Sequence, residues 1–199
     1  MPAFTAPRRS GDAGRSPSRW RRLTARTAPL LAVGMVPLAV ALPVVPASAA
    51  TPCDPPVTNK VACENTSAGT PESQWRVDGS DPSIAGYTTD ISTNVGGRVD
   101  FKIRTDAASW RIDIYRLGWY GGDGARMVAT VGPSVGGVHT QPACLTDSAT
   151  GLNDCGNWSV SASWQVPTTA VSGLYYAVPH RDDTGGENEI FFVVRDDAS

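Results

Sequence analysis

From about residue 84 onward, apolar and polar residues alternate over short stretches. Val99, Phe101 and Ile103 alternate with Asp100, Lys102 and Arg104. Trp110, Ile112 and Ile114 alternate with Arg111, Asp113 and Tyr115. A period of two puts the apolar set on one face of a strand and the charged set on the other. Thr105-Asp106-Ala107-Ala108, between the two runs, predicts a hairpin whose charged faces pair across strands. Further strands are predicted at 87–94 (closed by Gly96-Gly97), 125–131, 159–166, 174–178 and 189–195. The turn Asp182-Asp183-Thr184-Gly185-Gly186 separates the last two. No stretch beyond residue 50 shows a helical period, and no internal repeat is visible.

About seven short strands with regular turn signals predict an all-β chain. The expected architecture is an immunoglobulin- or fibronectin type III-like sandwich of antiparallel strands over residues 73–199. Residues 167–176 read as the corner that enters a late strand, where a tyrosine hydroxyl bonds back to the backbone. Neighbours in a strand face opposite ways, so either Tyr175 or Tyr176 fits. Trp75, Trp110, Trp158 and Trp164 are expected in the core or at the sandwich ends.

Residues 1–49 follow a different rule. Seven arginines precede an apolar run from Ala28 to Val45, and Ala47-Ser48-Ala49 supplies small residues for cleavage between Ala49 and Ala50. Gly34, Pro37, Pro43 and Pro46 favour a cleaved signal peptide over a permanent anchor, so the protein is expected to be secreted. Arg21-Arg22-Leu23-Thr24 is a weak form of the twin-arginine signal. The leader also holds most of the positive charge. The first 50 residues carry seven basic and one acidic side chain and the rest carry ten and 18, so the net charge of −2 divides into +6 and −8. An acidic mature surface argues against nucleic acid or an anionic membrane as partner.

Residues 50–72, rich in Pro, Thr, Asn and Ser, read as a linker or an arm stapled by a disulfide. All four cysteines lie beyond the leader. Four allow three connectivities, and local spacing favours Cys53–Cys63 and Cys144–Cys155. Zinc would need close thiolates or nearby histidines, and the chain has only His139 and His180.

Catalytic chemistry finds little support. Neither histidine accompanies a nucleophile motif. The acidic pairs Asp182-Asp183, Glu187 with Glu189, and Asp196-Asp197 fall in turns or at strand ends rather than across a cleft. Asp147 and Asp154 offer hard oxygens, but the loop between them lacks the alternating ligands of a calcium loop. Gly121-Gly122-Asp123-Gly124 lacks the ending of a phosphate loop. The candidate surface is aromatic: Trp119 and Tyr120 beside the glycine turn, with Arg116 and Arg126 nearby. It could cap the sandwich, dock a neighbouring domain or stack on sugar rings.

The stretch from Arg111 to Arg126, RIDIYRLGWYGGDGAR, resembles secreted bacterial proteins related to the large (beta) subunit of N,N-dimethylformamidase. So do Gly69-Thr70-Pro71-Glu72-Ser73-Gln74-Trp75, Cys144-Leu145-Thr146-Asp147, Asp154-Cys155-Gly156-Asn157-Trp158 and the closing residues 193–199. The resemblance implies an N-terminal sandwich module, with the amidase-like domain expected beyond Ser199. It further implies that the family's iron site, with tyrosine and glutamate ligands, belongs to that following domain. No catalytic, cofactor or metal residue carries over to this chain. The expected role is an accessory module that docks or orients a neighbouring amidase-like domain. The alternatives are a carbohydrate- or cell-wall-binding module, or a fragment of a formamide-hydrolysing subunit.

Overall fold

The computed structural model describes residues 50–134 and 136–198. The expected signal peptide, including Ala49 of its cleavage site, lies outside them. Every described element falls in the unit Ala47–Ser199.

Ten strands form among the described residues: β1 (Ile84–Thr88), β2 (Ser92–Asn94), β3 (Arg98–Thr105), β4 (Trp110–Leu117), β5 (Ala125–Val131), β6 (Leu145–Asp147), β7 (Leu152–Asp154), β8 (Ala162–Gln165), β9 (Gly173–Arg181) and β10 (Ile190–Arg195). Among the described residues, helix is limited to α1 (Lys60–Glu64) and two single 3-10 turns, Glu72–Gln74 and Tyr120–Gly122. No described helix is long and apolar enough to cross a membrane. One sheet has the order β1-β3-β8 and the other β2-β10-β9-β4-β5, with β6 and β7 forming a separate hairpin. The chain is therefore an all-β sandwich.

The alternating runs do form strands, but the predicted hairpin does not exist. β3 pairs with β1 and β8, whereas β4 pairs with β9 and β5. Residues 105–108 thus cross from one sheet to the other, and the two charged faces point outward on opposite sides of the sandwich. The physical reason is the shared core: the apolar faces of both strands need burial, and facing sheets bury both at once. The predicted strand 87–94 is also split. β1 joins the first sheet, and β2 crosses to pair in parallel with β10. That pairing departs from the wholly antiparallel expectation.

The core between the sheets contains Val99, Phe101, Ile103, Trp110, Ile112, Ile114, Trp164, Tyr175, Phe192 and Val194. Phe192 stacks on Tyr175 at 5.6 Å and meets Phe101 edge-on at 6.0 Å. Burial of each such side chain contributes about 1.5–3 kcal/mol. A second, smaller cluster covers the outer face of the larger sheet. Tyr115, Ala125, Tyr176 and Val178 lie there under Trp75 and Val77. Tyr115, which alternation assigns to the solvent side, is buried for this reason and donates its hydroxyl to the Gln74 carbonyl at 2.9 Å. Residues 69–77 are thus a packed strap rather than a free linker.

Both expected disulfides form. Cys53 and Cys63 have Cα atoms 4.7 Å apart, and Cys144 and Cys155 have theirs 4.3 Å apart. The first braces the segment carrying α1. The second closes the base of the β6–β7 hairpin, which falls within the loop that the sequence leaves unassigned.

Candidate functional site

The turn after β4 is held from beneath by the disulfide-braced arm. Asn59 caps α1 by accepting from the Ala62 N–H at 2.9 Å. The helix ends at Glu64 and Asn65, both turned toward the turn. Asn65 Oδ1 accepts from the Trp119 N–H at 3.2 Å. A Cβ on Gly118 would stand 2.4 Å from that same oxygen, so only glycine permits the approach. The Trp119 carbonyl in turn accepts from the Gly122 N–H at 2.8 Å. Tyr120 adopts a φ of 43°, a left-handed conformation rare outside glycine. Its ring is thereby carried inward, to 2% exposure.

One oxygen organises the interior of this end. Glu64 Oε1 accepts from the Tyr120 hydroxyl at 3.0 Å and from Arg126 Nε and Nη2 at 2.8 and 2.5 Å. The Tyr120 hydroxyl accepts from Arg116 Nη1 at 2.9 Å. Arg116, only 3% exposed, also donates to the carbonyls of Val171, Leu117 and Ser172. Val171 is the acceptor for Tyr175 too, whose hydroxyl donates at 2.8 Å. This resolves the predicted corner in favour of Tyr175. Its partner Tyr176 faces outward and donates to Glu189 at 3.2 Å.

A β-bulge explains why Arg126 takes part. Ile114 pairs with Ala129, but Tyr115 pairs with Met127, so Val128 is the extra residue. Strict alternation would turn Met127 toward Arg116. The bulge instead places Arg126 directly opposite Arg116, and Met127 is exposed. Like charges facing across a ladder repel, so the arrangement needs the Glu64 carboxylate between them.

Burial raises the pKa of the Tyr120 phenol and pushes that of Tyr175 up to about 12, so both stay neutral at physiological pH. Burial alone would lower the Arg126 pKa, but the hydrogen bonds and charge of Glu64 outweigh it and raise it. The cluster is therefore a structural ion network with neutral phenols.

Of the four residues expected on the surface, the structure leaves Trp119 outward at 68% exposure. Arg116 and Tyr120 are buried, because the turn conformation and the Glu64 network draw them in. Arg126 is partly covered and engaged by Glu64. Sequence reasoning missed Glu64; only its place beside Cys63, in a stapled segment, could have drawn attention to it. Trp119 borders an open groove with Asn65, Thr66, Ser67 and Asp123.

The remaining candidates serve the fold. His180 Nδ1 lies 2.9 Å from Glu187, and His139 bridges to Thr105 and meets Trp110 edge-on at 5.3 Å. Asp182 accepts from Arg111 at 2.8 Å, and Arg181 holds both Asp183 and Asp106. Lys60 reaches Asp196, and Arg195 reaches Asp197, each at 2.8 Å. Asp147 accepts from the Ala149 and Thr150 N–H groups, and Asp154 from that of Gly156. Among the described residues, no group of three His, Cys, Asp or Glu side chains could hold a metal ion.

Comparison with known proteins adds three observations. No curated protein matches the sequence. Among solved structures, domain 1 of VCBP3 from Branchiostoma floridae is similar at a TM-score of 0.33 and 10% identity, over 58% of this chain and 96% of that one. The family whose model matches is described as C-terminal, a different position from the N-terminal module that the resemblance implies. From the first residue of the RIDIYRLGWYGGDGAR stretch to the end of the sequence, residues 111–199 match the family N,N-dimethylformamidase beta subunit-like, C-terminal.

Proposed function

We propose that this protein is an exported, non-catalytic β-sandwich module that docks and orients an amidase-like domain, using Trp119 as its anchor. The observation that carries the reading is the exposure of Trp119 on a pinned turn. A large aromatic on a turn whose backbone is already fixed costs little backbone freedom on binding, which suits a central anchor. Arg116, Tyr120 and Arg126 act behind it by fixing the turn to the arm. Export is supported by the arginine-rich leader, the small residues before Ala50 and two disulfides, which persist in oxidising compartments. In this reading the family's iron belongs to the docked domain.

The test mixes purified residues 50–199 with an amidase-like domain of this family from the same genome. Binding should weaken about tenfold or more in Trp119→Ala, as expected for an interface anchor, with an unchanged circular dichroism spectrum. Equal binding by both proteins would sink the proposal. A second reading, a carbohydrate-binding module, is favoured by the polar rim of Asn65, Thr66 and Asp123 around the Trp119 ring. Glycan-array binding lost in Trp119→Ala, without affinity for the amidase-like domain, would select it.

A further inference from the structure

The Glu64 network encloses a cavity whose charge it does not balance. A space of about 150 Å³ opens at the end of the sandwich, between the arm and the corner entering β9. That is well above the ~10–15 Å³ needed to hold one water. Arg116, Arg126 and Glu64 line one part, and Val128, Trp164 and Ala170 line another. Two guanidinium groups thus face one carboxylate. The other partners of Arg116 are neutral carbonyls and a neutral phenol. Arg126 donates to Glu64 Oε1 through Nε and Nη2, and its guanidinium also lies 6.0 Å from the centre of the neutral Tyr120 ring. The walls therefore carry one excess positive charge beside an apolar floor.

Arg116 is 3% exposed but the Arg126 side chain keeps 35% exposure, so water screens the excess charge only in part and a small anion would offset the rest. The floor selects among anions: an inorganic ion would leave the Trp164 side unsatisfied, whereas a short alkyl chain would cover it. We propose that this cavity binds a small aliphatic monocarboxylate, its carboxylate toward Arg126 and Arg116 and its alkyl tail against Val128, Trp164 and Ala170. Guanidinium suits this role because its planar N–H pairs match a carboxylate. The inference concerns an interior site and is independent of docking through Trp119.

The test titrates purified residues 50–199 with sodium propionate by calorimetry and by Trp164-sensitive fluorescence. Propionamide, the same shape without charge, and sodium chloride at matched ionic strength serve as comparisons. Saturable propionate binding at least tenfold tighter than that of propionamide is expected, with no equivalent chloride effect. Arg126→Gln should weaken propionate at least tenfold, and Glu64→Gln, which removes the competing carboxylate, should strengthen it. A merely structural network would make both substitutions act in the same direction. If either variant fails to fold, Ala170→Leu, which fills the floor and leaves the charges, should abolish binding. Equal affinity for propionate and propionamide, no saturation with propionate, or parallel effects of the two charge substitutions would overturn the proposal.

Discussion

At the scale of single residues, the charged side chains mostly brace turns. Arg181, only 7% exposed, shows this most clearly, with Asp106 and Asp183 as its carboxylate partners. The hydrogen bonds from Arg181 hold the Asp183 carboxyl down at about 2, against an ordinary value of 3.8. A carboxylate whose pKa is depressed on folding stabilises the protein above its unfolded value and loses that effect as pH falls through the folded one. The contribution of Asp183 is therefore fully present above about pH 4 and disappears toward pH 2. Asp183→Asn should be less stable than wild type at pH 6, with the gap narrowing steadily between pH 4 and pH 2.5, as read from urea midpoints. A gap that stays constant over that range would contradict the assignment. The tyrosine pair shows how one residue was half legible. Spacing marks both Tyr175 and Tyr176 as corner candidates, and only the choice of inward face, fixed by the packing of Phe192 and Trp164, selects Tyr175.

At the scale of elements, the sequence reveals faces better than neighbours. The alternation of Val99, Phe101 and Ile103 and of Trp110, Ile112 and Ile114 correctly marks two buried faces. It says nothing about which strand lies alongside, so the crossing at 105–108 reads falsely as a hairpin turn. The bulge at Val128 is hidden for the same reason: alternation within β5 favours Met127 as the inward residue, and only the ladder to β4 shows Arg126 there. α1 escapes notice because five residues hold too few turns for a 3.6-residue period to appear. The two disulfides brace different elements, and their removal should separate accordingly. Closing a loop the length of 53–63 stabilises by about 3 kcal/mol in the chain-entropy model. The Cys53→Ser/Cys63→Ser double variant should speed hydrogen exchange across the arm and the Trp119 turn, since Glu64 and Asn65 reach the turn from there. Cys144→Ser/Cys155→Ser should affect the β6–β7 hairpin and leave the amides of β4 and β9 protected. Loss of protection throughout the sandwich in both variants would contradict this division.

At the scale of the whole molecule, the matched span 111–199 is smaller than the folding unit. β1 and β3 supply most of the smaller sheet, and the arm supplies Glu64 and Trp75, all from before residue 111. Exported protein should begin near Ala50 or Thr51 by intact-mass spectrometry, because the small residues after the apolar run end there; a full-length product in the membrane would refute the signal-peptide reading. Purified residues 51–199 should neither hydrolyse formamides nor bind iron stoichiometrically. The histidines and carboxylates described above are engaged in structural pairs, and measurable hydrolysis abolished by a point substitution within the span would reverse that conclusion. The parallel pairing of β2 with β10 has a further consequence, for the order of folding. β10 is the last sandwich strand in the sequence, yet it sits inside its sheet, between β2 and β9. A chain emerging end-first, from a ribosome or through a narrow pore, cannot close that sheet by local pairing as it appears. β2 must wait for a partner about a hundred residues away, and such distant pairings fold slowly, in milliseconds to seconds. Vectorial delivery of this chain therefore leaves β2 without its ladder partner until the segment Ile190–Arg195 is free to insert.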